Sequence, residues 1–243
     1  MLPDASTELL VLLPPSEGKT APSEGAPVDL AALAFPALTK TRERLLAVLS
    51  RLTLPRALKY LDISAGLADE AERNLTLLSS PAAPAHEVYT GVLYEHLGLG
   101  SLPGENVLIA SALWGFVRPS DRIPAYRLSM GSTLPRIPSL PAVWREPLRK
   151  AVPDSGLVVD LRSGAYASAW KPKHATVVGV RAFTEGKIVS HMVKATRGDV
   201  ARILLGSGTT PETPQAVAAV ARDAGLTVEL NGSGRAWTLD VIG

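Results

Sequence analysis

The sequence feature that most constrains the fold is the segment 106–131. It opens with an apolar run, Val107 to Val117, and continues as a turn-rich stretch that carries Arg118, Arg122, Tyr126 and Arg127. A run of this kind is typical of a buried element, so the segment predicts a core strand with guanidinium groups following it. Arginine binds carboxylate or phosphate through two parallel hydrogen bonds, which favours recognition of an anion. For each arginine alone, an internal salt bridge or a bond to a local carbonyl is the alternative.

The rest of the chain mixes apolar runs, hairpin signals and helical periodicity without regular alternation. The predicted strands and hairpins are Leu9–Leu13, Val107–Val117 with a loop at Trp114-Gly115, Leu157–Leu161, 177–183 paired with 188–193 around Glu185-Gly186, and 226–230 paired with 235–241. Helical spacing predicts helices at 35–52, from Pro55, at 63–78, leading through His96, and at 144–151, 199–205 and 214–224. This pattern predicts an α+β fold, a single domain over 1–243 with a mixed sheet and antiparallel hairpins surrounded by helices.

Composition excludes several classes of site and partner. The chain has 243 residues and no cysteine, which excludes disulfides, thiolate nucleophiles and cysteine zinc sites. The histidines are scattered without ligand spacing, so neither a metal site nor another cofactor is expected. The net charge is +2, so binding to nucleic acid must come from the placement of charges. Because no apolar run approaches a membrane span and the N-terminus lacks the features of a secretory signal, we expect a cytoplasmic protein.

The segment Pro14 to Thr20 ends in Gly-Lys-Thr, like the end of a phosphate-binding P-loop. That loop needs a glycine five residues before Gly18, where this chain has Leu13, and the prolines remove backbone amides. We therefore interpret the match as a false P-loop. Lys19 remains either a functional cation at a strand end or a solvated loop lysine.

Further cations follow other strand-like segments, namely Lys171, Lys173, Lys194 and Arg197. If the sheet brought the strand ends together, these side chains would join the arginine group and give salt-dependent binding of phosphate. The alternative is that they are scattered surface charges.

A glycine-bearing turn lies between two helical runs, at Leu61 to Ala71. Helix-hairpin-helix motifs hold a DNA phosphate with the amides of such a turn. The acids Asp69, Glu70 and Glu72 oppose DNA binding, and a plain helix–helix turn is the alternative.

These pieces together resemble the YaaA family of peroxide-stress proteins. The matching positions are Lys19-Thr20, Val88 to Gly91, Trp114-Gly115, Arg118-Pro119, Pro124, Tyr126 to Leu128, Met130-Gly131, Val158 to Leu161, Tyr166, Lys171 to Lys173, Gly186-Lys187, Lys194 and Arg197-Gly198. The resemblance implies one α+β domain, a helix-hairpin-helix-like element at about 56–78, DNA binding, and a role in limiting intracellular iron and DNA damage during hydroperoxide stress. The loop before Lys19 is one residue longer here than is usual in the family.

Two functional hypotheses follow, and the sequence does not decide between them. In the first, a monomeric stress protein that limits iron-dependent DNA damage binds DNA in a basic, anion-binding cleft formed by Lys19, Arg118, Arg127, Lys171, Lys173, Lys194 and Arg197. In the second, the same cations hold a small phosphorylated or nucleotide-like substrate, and Glu17, Tyr89, Tyr126 or Asp160 transfers protons. A membrane partner is not expected. Direct iron binding is the weakest interpretation, because only scattered carboxylates remain as ligands.

Overall fold

The computed structural model describes residues 9–183 and 190–243 and has a large mixed sheet at its centre. The strands of this sheet are β1 Leu9–Leu13, β3 Val107–Ser111, β4 Gly115–Val117, β6 Leu157–Asp160, β7 Thr176–Phe183, β8 Thr227–Ser233 and β9 Ala236–Ile242. A separate antiparallel pair consists of β2, Ala83–Pro84, and β5, Arg122–Ile123. The order of the seven-stranded sheet is β4-β3-β1-β6-β7-β9-β8.

The middle of the sheet is parallel and its two edges are antiparallel. β1 pairs in parallel with β3 and β6, and the parallel pairing continues from β6 to β7 and β9. β4 and β8 are antiparallel to their neighbours β3 and β9. All five residues of β3 are buried, as expected for a parallel strand covered on both faces. The predicted α+β class with a mixed sheet is confirmed.

Helices surround this sheet and connect its strands. They are α1 Thr39–Leu49, α2 Leu54–Leu61, α3 Ala68–Glu72, α4 Ala85–Val88, α5 Val92–Leu97, α6 Leu140–Ala151, α7 Gly164–Ala167, α8 Ser190–Gly206 and α9 Pro214–Asp223. Short 3-10 turns lie at Pro36–Leu38, Ala65–Leu67, Arg73–Leu75 and Leu99–Ser101. Within the described ranges, no helix has both the length and the apolar character needed to cross a membrane.

The apolar run at Val107–Val117 forms a tight hairpin of β3 and β4. Ser111 Oγ accepts the amide hydrogens of Leu113 and Trp114, which closes the turn. Gly115 has a φ of 78°, and a Cβ there would lie 2.8 Å from the Trp144 ring. The turn therefore requires glycine for both its conformation and its space.

Two predicted elements differ from the structure. The sequence predicts a hairpin from 177–183 and 188–193, and its second strand is a wrong prediction from Ser190 onward, because α8 begins there. Residues 184–189 lie outside the described residues. The buried positions Gly198, Ala201 and Leu204 recur at helical spacing beyond the short apolar run of the predicted strand, and this spacing favours a helix. The helix predicted at 63–78 is divided into α3 and the flanking 3-10 turns. The terminal hairpin is confirmed as β8 and β9.

Candidate functional site

A cleft of about 670 Å³ lies beside the carboxyl ends of β1 and β6. From β1 the chain continues to β3 on one side, whereas from β6 it continues to β7 on the other side. Ligands of open sheets bind at such a switch point, outside the carboxyl ends of strands whose connections diverge. The cleft is lined by Pro14 to Lys19, Leu61 to Ile63, Thr90 to Tyr94, Arg127 to Ser129, Gly131, Ser132, Ser163, Tyr166, Lys194 and Arg197.

The loop after β1 is fixed against the segment before α5. The Thr20 amide donates to the Val88 carbonyl at 3.0 Å, and the Thr90 amide donates to Ser16 Oγ at 3.1 Å. The Tyr94 hydroxyl donates to the Pro14 carbonyl at 2.7 Å. These bonds between distant parts of the chain set the position of Lys19.

Lys19 extends over an aromatic floor. Its Nζ donates to the backbone carbonyls of Ser16 at 2.9 Å and Glu17 at 3.3 Å. The nitrogen lies 4.5 Å from the ring centre of Tyr126 and 5.6 Å from that of Tyr89. No carboxylate within the described residues forms a salt bridge with it.

This environment lowers the pKa of Lys19 to about 7. Burial is the largest cause, because it disfavours the charged form, and the nearby Arg127 charge acts in the same direction. The carboxylates of Glu70 and Glu17 raise the pKa, but by less. Both the ammonium and the neutral amine are therefore present near neutral pH.

Arg127 is held from both its backbone and its side chain. The buried Asn74 accepts the Arg127 amide hydrogen at 2.9 Å and donates to the Arg127 carbonyl at 2.7 Å. The guanidinium forms an ion pair of 3.0 Å with Glu70 on α3. Glu70 is therefore the carboxylate that a bound anion must compete with at this position.

The helix α8 contributes Lys194 and Arg197 to the lining of the cleft. Burial lowers the pKa of Arg197, and the charge of Asp160 opposes this shift. Its Nε is buried and has no hydrogen-bond partner among the described residues. Gly198 sets how closely the helix approaches α5, since a Cβ there would lie 2.5 Å from the Leu93 carbonyl oxygen.

A chain of buried hydroxyls lies behind Lys19. Ser111 Oγ lies 2.7 Å from the Tyr126 hydroxyl, which lies 2.9 Å from the Tyr89 hydroxyl. Because Ser111 Oγ already accepts two amide hydrogens, its own proton is donated to Tyr126, and Tyr126 donates to Tyr89. Burial raises the pKa of both tyrosines well above the ordinary value, so this chain stays neutral and acts as a fixed support.

Comparison with known proteins identifies the family of the chain. The family model described as "Peroxide stress protein YaaA" matches residues 9–229, which include every element that lines the cleft. The chain belongs to the YaaA family. The resemblance inferred from the sequence motifs is thereby confirmed.

Similar proteins are found in several bacteria. A UPF0246 protein of Streptomyces coelicolor is 46% identical, with 96% of this chain and 98% of that protein covered. A UPF0246 protein of Corynebacterium glutamicum is 42% identical, with 92% of this chain and 96% of that protein covered. An uncharacterized protein of Campylobacter jejuni is 28% identical over 77% of this chain and 81% of its own length.

Within this YaaA-family chain, the structure brings together Lys19, Arg127, Lys194 and Arg197 from the predicted cations. Arg118 does not line the cleft, because β4 runs antiparallel and returns the chain toward the amino ends of the parallel strands. Lys171 and Lys173 also lie outside it. The Lys173 amide donates to Asp154, which precedes β6, so this loop is at the opposite end of the strand.

The proposed proton-transfer residues are similarly divided. Glu17 lines the cleft and is exposed. Tyr89 and Tyr126 are buried beneath Lys19 and do not line it. Asp160 is engaged by Arg162, whose Nε and Nη2 donate to its two carboxylate oxygens at 2.8 and 2.7 Å.

Sequence reasoning did not select Tyr94, Ser163 and Tyr166 as site residues, although all three line the cleft. Tyr166 stands among the family-matching positions, and this was the signal available for it. Burial raises the pKa of Tyr166, so its hydroxyl remains protonated. Within the described ranges, no group of His, Asp and Glu side chains has the arrangement to hold a metal ion.

Proposed function

We propose that this protein acts in the peroxide-stress response by binding DNA in the cleft, and that this binding limits iron-dependent oxidative damage. The observation that carries the proposal is the convergence of Lys19, Arg127, Lys194 and Arg197, which are far apart in the sequence, on one concavity. Phosphate binding would engage the guanidinium of Arg127 in competition with Glu70.

The shape of the cleft favours a nucleotide or strand end over a long stretch of duplex. Its volume of about 670 Å³ lies within the usual range of small-ligand sites. Leu61, Asp62 and Ile63 line one side, so the helix-hairpin-helix-like element proposed at about 56–78 would flank the bound strand. The acids Glu17 and Asp62 also line the cleft, and they would repel a phosphate placed beside them.

Salt titration tests the proposal directly. Fluorescence anisotropy with labelled duplex and branched DNA, at about pH 6 where Lys19 is charged, should show log affinity falling against log salt with a slope of about −3 to −4 for four phosphate contacts. Absence of binding at low ionic strength, or an affinity that salt does not change, would contradict it.

A second candidate function is an enzyme acting on a small phosphorylated or nucleotide-like molecule in the same cleft. Lys19 favours it, because an amine with a pKa of about 7 can exchange protons at neutral pH. Thermal shift with a panel of nucleotides and sugar phosphates distinguishes the candidates. A ligand at about 100 times its dissociation constant stabilises the folded state by roughly 2.7 kcal/mol. A panel without any shift would argue against the enzyme.

A further inference from the structure

Lys19 differs from the arginines of the cleft because its nitrogen can become a nucleophile. A guanidinium stays protonated in proteins, whereas a lysine amine attacks carbonyl carbon once it is neutral. Lys19 is half-buried and lines the cleft, so its Nζ is sheltered without being sealed off. It has no carboxylate partner among the described residues that would hold it as a permanent ion pair.

The hydrogen bonds of Lys19 suit the neutral amine. A neutral amine has two hydrogens, and the carbonyls of Ser16 and Glu17 provide an acceptor for each. This leaves the nitrogen lone pair for an electrophile. The charged groups that act on Nζ are Arg127, which favours the neutral form, and Glu70 and Glu17, which oppose it. The faces of the neutral Tyr89 and Tyr126 rings favour the ammonium and therefore act in the same direction as the two carboxylates.

The surrounding groups indicate what kind of carbonyl compound the cleft would accept. Arg127, Lys194 and Arg197 are suited to phosphate, while Ser163 and the Tyr166 hydroxyl offer hydrogen bonds to a sugar. We propose that Lys19 forms an imine with the aldehyde of a phosphorylated sugar bound in the cleft. The inference rests on the proposed binding of phosphate by the same cations.

The step is balanced without a further reactant. The amine nitrogen adds to the aldehyde carbon, which gives a carbinolamine. The two hydrogens of the amine leave with the former carbonyl oxygen as water, and a C=N bond replaces the C=O bond. Cyanoborohydride added to the reaction delivers hydride to the protonated imine carbon and fixes the adduct as a secondary amine.

The aldehyde of a phosphorylated sugar has two sources, namely the base-free deoxyribose at an abasic site in DNA and a free sugar phosphate. The full-length protein is incubated with cyanoborohydride and either an abasic oligonucleotide or ribose 5-phosphate, and the adduct is located by peptide mass spectrometry. The expected result is one adduct on the peptide that contains Lys19. An adduct from the oligonucleotide only would assign the source to DNA, and one from ribose 5-phosphate would assign it to a small molecule; either supports the imine.

Matched variants separate this proposal from the binding on which it depends. Lys19→Arg keeps the positive charge, so it should lose the adduct while still binding an oligonucleotide with a tetrahydrofuran analogue, which lacks the aldehyde. Lys171→Arg, at an exposed position outside the cleft, should keep both. Arg127→Met should move the pH profile of trapping to higher pH, because Arg127 lowers the Lys19 pKa.

If the unmodified protein does not bind the oligonucleotide with the tetrahydrofuran analogue, the proposed DNA binding is refuted. If the unmodified protein binds the analogue but gives no adduct, or gives an adduct on a lysine other than Lys19, the proposed imine is wrong while the proposed DNA binding stands. If Lys19→Arg binds poorly because it misfolds, Lys19→Met provides the second variant, and its circular dichroism and analogue binding show whether it is folded.

Discussion

Replacement of Lys19 by methionine should change the pH dependence of stability in a defined direction. In the folded protein the pKa of Lys19 is lowered from 10.5 to about 7, so between these values the unfolded chain holds a proton that the folded protein has released. The unfolded state therefore binds more protons, and the free energy of unfolding rises with pH in this window. Below pH 7 the folded protein carries the buried charge, and the stabilisation is lost.

The magnitude follows from the same linkage. A full proton difference changes the free energy of unfolding by about 1.4 kcal/mol per pH unit. Because Lys19 is half titrated near pH 7, the rise between about pH 7 and about pH 9 amounts to roughly 2 kcal/mol. Lys19→Met lacks this titrating group. The free energy of unfolding of the unmodified protein, relative to that of the variant, should therefore increase by roughly 2 kcal/mol between about pH 7 and about pH 9.

Urea denaturation followed by circular dichroism at both pH values measures the effect. The difference between the two proteins cancels the titration of groups that they share, provided that the denaturant slope is unchanged. Lys171→Met is the matched control, because Lys171 is exposed and outside the cleft. A difference between the unmodified protein and Lys19→Met that is flat across this window would refute the argument.

Three further outcomes follow from the site. Arg197→Met should weaken DNA binding uniformly across sequences and reduce the salt slope by about 1, measured by anisotropy; an unchanged slope would exclude a phosphate contact. Asn74→Ala removes both bonds to the Arg127 backbone and should cost roughly 2 to 4 kcal/mol of unfolding free energy, and urea denaturation that shows no loss would contradict this. Gly198→Ala should cost about 1 to 3 kcal/mol from the contact with the Leu93 carbonyl, despite the better helix propensity of alanine; a more stable variant in thermal denaturation would show that α8 shifts freely.

The parts of the fold that local pattern determines could be predicted from the sequence. The strand Leu9–Leu13 and the terminal hairpin are confirmed because short apolar runs bounded by turn residues have few alternatives. The segment after Val189 shows the limit of this reasoning. A short apolar run beside the Glu185-Gly186 hairpin signal favoured a strand, but the helical spacing of Gly198, Ala201 and Leu204 belongs to a longer element, α8.

The site was less predictable because it depends on strand order and direction. Lys19 and Arg197 line the same cleft because the loop after β1 and the helix α8 both reach the same switch point, and no local pattern gives that order. Arg118 lies outside the cleft only because β4 is antiparallel. The lowered pKa of Lys19 depends on its burial in the folded protein and on the charge of Arg127, which lies in a distant part of the chain.

The proposed function requires the cleft to be an anion receptor, and a comparison of two variants with equal charge tests this requirement. Arg127→Met with Arg197→Met removes two cations from the cleft, and Lys171→Met with Lys173→Met removes two from outside it. Both are titrated with the same labelled DNA at the same salt concentration. We expect the first double variant to lose binding and the second to retain it. Equal loss in the two variants would contradict this expectation, since binding would then depend on overall charge and not on the cleft.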